Sequence, residues 1–384
     1  MVKPRVLLLS PQNIGPYHMA RFRAFHEVWP EMEVVPLPTS EHARPWTVGR
    51  DAEIPVRWLF GKGALSPRAR RSALGRARDH ILRARPAAMV AFAYRDSVRR
   101  CLRSVDGSDT AVVLYFVSTY EDKARRFWRE WAKRWLLKSF DAVAATGERS
   151  VRYAQLLGVP RERVWRIGNV VDNEHFASGA KEARRRAAEH RRSLGLPERY
   201  FLCVGRLSPE KNLDTLIGSF ARYRRAGGTW QLVLVGAGPE EDRLRELAGK
   251  QAPEAVHFVG WKQYPELPLY YGLASCFVLA SVSETWGLVV NEAMASGLPV
   301  LVSRQCGCVP ELCQQGVNGY DFDPADVQGL AQLMHSISSD GLNLGRMGEA
   351  SRRIIANFTP RTWARALAQC LETTIERKRA KRRQ

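Results

Sequence analysis

Two α/β domains, each built on a parallel sheet between helices, are what the sequence predicts. Three observations carry that expectation. At 384 residues the chain is longer than one ordinary hydrophobic core organises. Short apolar runs alternate with amphipathic helical segments along most of it, the pattern of strands buried on both faces of a parallel sheet. A charged, helix-prone stretch at 179–199, ending in Gly195 and Pro197, divides the alternation into two parts.

The elements follow in order. VLLLS (6–10) reads as a first strand ending in a loop, then come a helix at MARFRAFHEVW (19–29) and a strand at EVVPL (33–37). An Arg-rich helical stretch (68–85) precedes AAMVAFA (87–93), and after a further helix comes AVVLYFV (111–117). DKARRFWREWAKRWLLKSF (122–140) reads as one long helix, ahead of DAVAATG (141–147) and WRIGN (165–169). A second α/β domain begins at Tyr200 with FLCVG and continues through LVLVG (232–236) and VHFVG (256–260). The expected domains are thus 1–178 and 200–361, joined by 179–199. Residues 362–384 form a last helix, from Thr362 to about Arg379, and a basic tail.

Composition narrows the function classes. Hydrophobic residues make up 45% of the chain, which excludes wholesale disorder. The longest apolar run, AVVLYFV, is far too short to span a bilayer, and MVKPRVLLLSPQ is too short in apolar residues for a secretory signal. Seven scattered cysteines do not make a disulfide framework, so a reducing cytoplasm is the expected compartment. Cys306, Cys308 and Cys313 cluster, but no CxxC pair or nearby histidine completes a zinc set, and no metal is expected.

The net charge of +20 is uneven. Residues 1–200 carry 38 Lys and Arg against 21 Asp and Glu, a net +17, whereas residues 201–350 are net −5 and the last 34 are net +8. The basic part is expected to meet something anionic: a membrane leaflet, a diphosphate lipid, an acidic glycan or nucleic acid.

The most informative stretch is SETWGLVVNEAMASGLPV (283–300). It places Glu284 in a loop, Gly287 at the turn into a helix and Glu292 in that helix's early turns. A helix N-terminus offers unpaired N–H groups and a partial positive charge, which a diphosphate can use. Ionised carboxylates accept hydrogen bonds only, which suits paired sugar hydroxyls. A nucleotide-diphosphate-sugar has that layout.

This stretch resembles the E-x7-E signature of retaining glycosyltransferases of family 4, which have the GT-B architecture. FLCVGRLSPEKNLDTLI (201–217), LVLVGAGP (232–239), VHFVGW (256–261) and VPELCQQGVNGYDFDPAD (309–326) resemble further family segments in the expected order. The match is strong over roughly residues 200–330 and loose before them. The resemblance implies two Rossmann-like domains facing across a cleft, with a C-terminal helix returning to the N-terminal domain. It implies an N-terminal acceptor domain and a C-terminal donor domain. The activity implied is retaining, metal-independent transfer of a sugar from a UDP- or GDP-sugar to a glycan or lipid-linked acceptor, of cell-surface polysaccharide or lipopolysaccharide type. No cofactor is implied, and the enzyme would be cytoplasmic or peripheral on the inner face of the membrane.

The residues expected to do this follow. Arg206 and Lys211, at and after the end of strand FLCVG, would stabilise the charge growing on a departing phosphate. Glu284 would contact the donor sugar and Glu292 the ribose, while Thr285 and the backbone N–H groups of Trp286, Gly287 and Leu288 would hold phosphate or sugar oxygens. Gly236 would line the loop after its strand, and Val259 and Gly260 the nucleobase pocket. Glu311 and the Asn318–Gly319 turn follow the family pattern. In the N-terminal half, NIGPYHMAR (13–21) replaces the family's glycine-rich loop with the single Gly15. His18 is a candidate base, with a helix N-terminal contact as the alternative. Ser118 and Glu121 are candidate acceptor contacts.

Phe127, Trp128, Trp131, Trp135 and Leu136 form a helical stripe that would suit a membrane interface but more often marks core packing. Residues 66–86 are on this reading the better contact for anionic lipid. Two other functions compete. A nucleic-acid-binding protein would fit the charge, yet no nucleic-acid motif is present and the acidic second half is unexplained. A GT-B epimerase or phosphorylase would share the fold but not this series of motifs.

Overall fold

A computed structural model describes residues 3–38, 53–61, 65–93, 96–122, 125–339 and 341–383. The chain divides into two compact units. One comprises Met1–Tyr120, Ala124–Val170 and Pro360–Gln384, the other Glu121–Lys123 and Val171–Thr359.

The first unit runs β1 (Val6–Pro11), α1 (Pro16–Val28), β2 (Met32–Leu37), α2 (Pro67–Ala84), β3 (Ala88–Ala91), α3 (Asp96–Leu102), β4 (Ala111–Phe116), α4 (Phe127–Leu137), β5 (Ala142–Ala145), α5 (Glu148–Leu156) and β6 (Val164–Arg166). Its strands form a parallel sheet in the order β2-β1-β3-β4-β5-β6. Alternate side chains from these strands, among them Leu7, Leu9, Val35, Met89, Leu114 and Val143, fill a core under the helices.

The second unit begins with α6 (Asn173–Arg185) and α7 (Ala187–Leu194). It continues through β7 (Tyr200–Val204), α8 (Leu213–Arg225), β8 (Gln231–Val235), α9 (Glu241–Gln251), β9 (Val256–Gly260), α10 (Leu267–Leu273) and β10 (Cys276–Leu279). It ends with α11 (Leu288–Ala295), β11 (Val300–Ser303), α12 (Val309–Leu312), β12 (Gly319–Phe322), α13 (Val327–Ser338) and α14 (Leu344–Ile355). The sheet order is β12-β11-β10-β7-β8-β9, again parallel. The chain builds outward from β7 to β9 and then crosses back, so β10 lies against the other side of β7. At that reversal the loops beyond the two strand ends diverge, and open α/β sheets bind ligands there.

The last helix, α15 (Pro360–Arg383), belongs to the first unit, where it lies against α1 and the β4–β6 strands. Trp363 is fully buried between Phe25, Phe92 and Tyr115. The Arg21 guanidinium sits over both the Trp363 and Tyr115 rings and donates to Tyr115 Oη at 2.8 Å. The helix returns as the family resemblance implied.

Three expectations are corrected. The single helix over 122–140 is instead a short 3-10 turn, Tyr120–Asp122, followed by α4; residues 123 and 124 lie outside those described. The stretch 179–199 does not run as a separate connection, because it forms the end of α6 and all of α7 within the second unit. Small residues explain this: a Cβ on Gly272 of α10 would come 2.8 Å from Ala180 O and from Ala183 Cβ, so α6 and α10 pack backbone to backbone. The aromatic stripe of α4, expected in the core, faces outward, with Phe127 88% and Trp131 71% exposed.

At the edge of the first sheet Glu33, almost buried, accepts from Arg5 at 2.9 Å, Arg57 at 2.5 Å and His80 at 2.8 Å. Burial alone would raise its pKa, but Arg57, His80 and Arg5 together hold it below the ordinary value of 4.5. A depressed folded-state pKa gives stability that is present above the unfolded value and lost as pH falls through the folded one. Glu33→Gln should therefore lower the thermal midpoint at pH 7 by several degrees and flatten its decline below about pH 4.5. Parallel acid-unfolding curves for the two proteins would refute this.

Candidate functional site

Glycine-packed loops at the C-terminal ends of the second sheet build the site. Gly236 after β8 has φ +144°, and a Cβ there would come 1.8 Å from the Gly205 carbonyl oxygen. A Cβ on Gly238 would come 2.1 Å from Leu207 O. The bare backbones lock together: Leu207 N–H donates to Ala237 O at 3.1 Å and Glu240 N–H to Leu207 O at 3.1 Å. The loop carrying Arg206 and Lys211 is thereby fixed on the loop after β8.

A second lock holds the segment after β10. Val282 N–H donates to Glu210 O at 3.0 Å, Gly307 N–H to Glu284 O at 3.0 Å, and Cys308 N–H to Trp286 O at 3.1 Å. Gly307 approaches so closely that a Cβ would lie 2.0 Å from Thr285 O. The Trp286 indole is buried and donates to Asn291 Oδ1 at 2.9 Å, anchoring the loop from inside. Gly287 then takes φ +101° as the N-cap of α11, a conformation that suits only glycine without strain. Among the described residues the backbone N–H groups of Thr285, Trp286, Gly287 and Leu288 have no acceptor. Four adjacent amides at a helix start are a concentrated positive end.

Beside them the Lys211 ammonium is ion-paired with the Glu284 carboxylate, both largely withdrawn from solvent. Burial disfavours the charge on Lys211, but the contact with Glu284 outweighs it and raises the lysine pKa. Arg206 is exposed and lines a small crevice together with Lys211, Gly205 and Leu207. The structure thus brings Arg206, Lys211, Glu284 and the Thr285–Leu288 backbone to one edge of one unit.

Other expected residues fall differently. Glu292 is fully buried and accepts from Tyr271 Oη at 2.7 Å, so its carboxylate is enclosed where an open grip on hydroxyls was expected. The Gly236 amide donates to Gly260 O at 2.9 Å and is not available to a ligand. Val259 and Gly260 are half-buried, and the space where a Gly260 Cβ would stand is open. Glu121 is exposed within the short segment assigned to the second unit, where the neighbouring Asp122 carbonyl accepts from Ser283 Oγ at 2.7 Å. In the first unit Gly15 N–H donates to His18 Nδ1 at 3.3 Å, the helix N-terminal contact weighed against a base. That bond assigns the neutral imidazole its proton on Nε2. Ser118 lies half-buried in the loop after β4.

Sequence reasoning missed Gly307 and Asn212. Asn212 holds φ +54° and donates from Nδ2 to Ala280 O at 3.2 Å and Pro324 O at 2.9 Å, joining the loops after β7, β10 and β12. The three clustered cysteines are packing residues: Cys306 and Cys308 are fully buried, and burial pushes the Cys313 thiol up to about 12. Among the described residues no group of three His, Cys, Asp or Glu side chains could hold a metal ion.

Residues 186–357, which carry this site, match the family profile "Glycosyl transferases group 1". Curated relatives include a glycogen synthase of Mycobacterium tuberculosis, 31% identical over 61% of this chain and 55% of the relative. Another is a GDP-mannose-dependent alpha-(1-6)-phosphatidylinositol monomannoside mannosyltransferase of Mycolicibacterium smegmatis, 30% identical over 60% of this chain and 61% of the relative. The chain spans roughly half the length of the curated relatives it matches. Among solved structures, Anabaena HepE in complex with UDP-glucose superposes with a TM-score of 0.76 at 18% identity, over 97% of this chain and 100% of that one. The lipopolysaccharide outer core galactosyltransferase WaaB superposes with a TM-score of 0.72 at 15% identity, over 96% and 99%. These likenesses show the two-domain GT-B fold.

Gly307→Ala should destabilise the protein by about 1–3 kcal/mol and speed hydrogen exchange at the amides of residues 285–288. Gly249→Ala in α9, where a Cβ meets nothing within 4 Å, should do neither. Equal exchange in the two variants would dissociate Gly307 from that loop.

Proposed function

We propose that this chain is a retaining, metal-independent glycosyltransferase. It moves a hexose from a UDP- or GDP-sugar to a glycan or lipid-linked acceptor in cell-envelope polysaccharide or lipopolysaccharide synthesis, on the cytoplasmic side of the membrane. The supporting observation is the run of acceptor-less amides from Thr285 to Leu288 beside the Lys211–Glu284 pair, at the strand-order reversal of its sheet.

On this reading the donor diphosphate lies over the start of α11 and takes Lys211 from Glu284, and Arg206 adds a second cation. Glu284, released, accepts hydrogen bonds from the donor sugar's hydroxyls. Val259 and Gly260 border the base, and Glu292, held by Tyr271, positions α11 and its amides. As the bond between sugar carbon and phosphate oxygen breaks, its electron pair stays with the phosphate, where the two cations and the amides stabilise the charge without reorganising. The acceptor oxygen attacks from the same face, and its proton passes to the departing phosphate. His18, engaged through Nδ1, orients the Gly15 loop, and Ser118 and Glu121 contact the acceptor. Metal independence follows from Arg206 and Lys211 supplying the positive charge. The names of the relatives and the ligand in the HepE structure support UDP- and GDP-sugars as the donors to try first.

Arg206→Ala, Lys211→Ala and Glu284→Ala should each lower turnover by about 100-fold or more while leaving the circular dichroism spectrum unchanged. Near-normal transfer by all three would remove the site. A thermal-shift panel of UDP-, GDP- and ADP-sugars identifies the donor through the stabilisation that tight binding brings.

A further inference from the structure

We propose that α4 docks the protein on an anionic lipid bilayer by inserting its outward aromatic face among the headgroups. The helix buries Leu137 and packs Leu136 against the core, but the rest of its inner face is polar. Its charged residues Glu130 and Lys133 turn inward: Tyr153 Oη donates to Glu130 at 2.6 Å and accepts from Lys133 at 2.6 Å, and Arg125 donates to Tyr153 at 2.8 Å. Its four aromatic residues turn outward, with Phe127 88%, Trp131 71%, Trp135 55% and Trp128 49% exposed. Leaving four such side chains in water is costly unless something covers them.

Charge identifies what covers them. Arg126, Arg129, Arg134 and Lys138 are exposed on or beside the helix, whose sole acid is the inward Glu130. Arg129 lies over the Trp128 ring at 5.0 Å, and Arg99 of α3 over the Trp135 ring at 5.6 Å. Protein interfaces are also enriched in Trp, Phe and Arg, so the one-signed charge decides: four exposed cations with no exposed acid on the helix match an anionic bilayer surface, where tryptophan seats at headgroup depth and arginine meets phosphate. At eleven residues the helix is about 16 Å long, enough to lie in the interface and too short to cross it. The Arg-rich α2 is the weaker candidate, because Ala73, Ala77 and Ile81 are buried against the sheet and Leu82 is its large exposed apolar residue. It contributes charge rather than insertion.

This inference goes beyond the proposed transfer reaction and does not depend on it. Its test is co-sedimentation of the full chain with vesicles of phosphatidylcholine alone and of phosphatidylcholine mixed with phosphatidylglycerol. The protein should bind the mixed vesicles and barely bind the neutral ones. Phe127→Ser with Trp131→Ser should weaken binding to the mixed vesicles by about tenfold or more. Arg129→Gln with Lys138→Gln should reduce the preference for them. Unchanged circular dichroism and thermal midpoint would show that the variants fold. Equal binding of the aromatic variant and the parent would overturn the proposal. So would a parent that sediments as a dimer in solution and an aromatic variant that is monomeric, since a second copy would then be the cover. Nucleotide-sugar thermal shifts read the donor site separately, so vesicle results of either kind leave that reading standing on its own data.

Discussion

Contact between bare backbones governs the second unit. Gly236 and Gly238 bring the loop after β8 against the loop after β7, and Gly307 brings the segment before α12 against the loop after β10. No side chain fits between these pieces, so their spacing is set by carbonyl and amide contacts rather than by adjustable rotamers. The Lys211–Glu284 pair and the α11 amides inherit that rigidity. Chemistry that depends on fixed dipoles needs such a frame, because dipoles that must reorient give back much of their electrostatic advantage.

The pair itself has two faces. Lys211 and Glu284 satisfy each other while being withdrawn from water, which removes the cost of an uncompensated buried charge. A ligand that offers only an anion would strand Glu284, and one that offers only hydroxyls would leave Lys211 in place. Under the proposed function both partners would be compensated when anion and hydroxyls arrive together, and the ion pair would then select a ligand that carries both.

Much of the fold was legible in the sequence because its signals are local. Strand runs such as VLLLS and FLCVG, helix periodicity, and the Glu284–Gly287–Glu292 spacing all lie within one or two elements. The features that escaped depend on distant segments. Glu292 is enclosed by Tyr271, 21 residues away on another helix, and nothing near Glu292 announces it. Gly307 reads as an ordinary turn glycine until Thr285 is set against it. Helical periodicity correctly grouped the α4 aromatics on one face, but it cannot say which way a face points. That was decided by Tyr153 on α5, which gives Glu130 and Lys133 an inward partner and turns the tryptophans out.

The return of α15 to the first unit bears on how the polypeptide matures on the ribosome. Trp363, Leu367 and Leu371 are fully buried in a core whose other parts were made more than 190 residues earlier. During synthesis the second unit has its whole sequence, apart from the Glu121–Lys123 insertion already made, before that final helix emerges. The nascent first unit therefore waits with Phe25, Phe92 and Tyr115 lacking their tryptophan partner. Domains close as their segments become available, so completion of the first unit waits for α15 to emerge, and truncation ahead of it would leave an open apolar seam for chaperones to find.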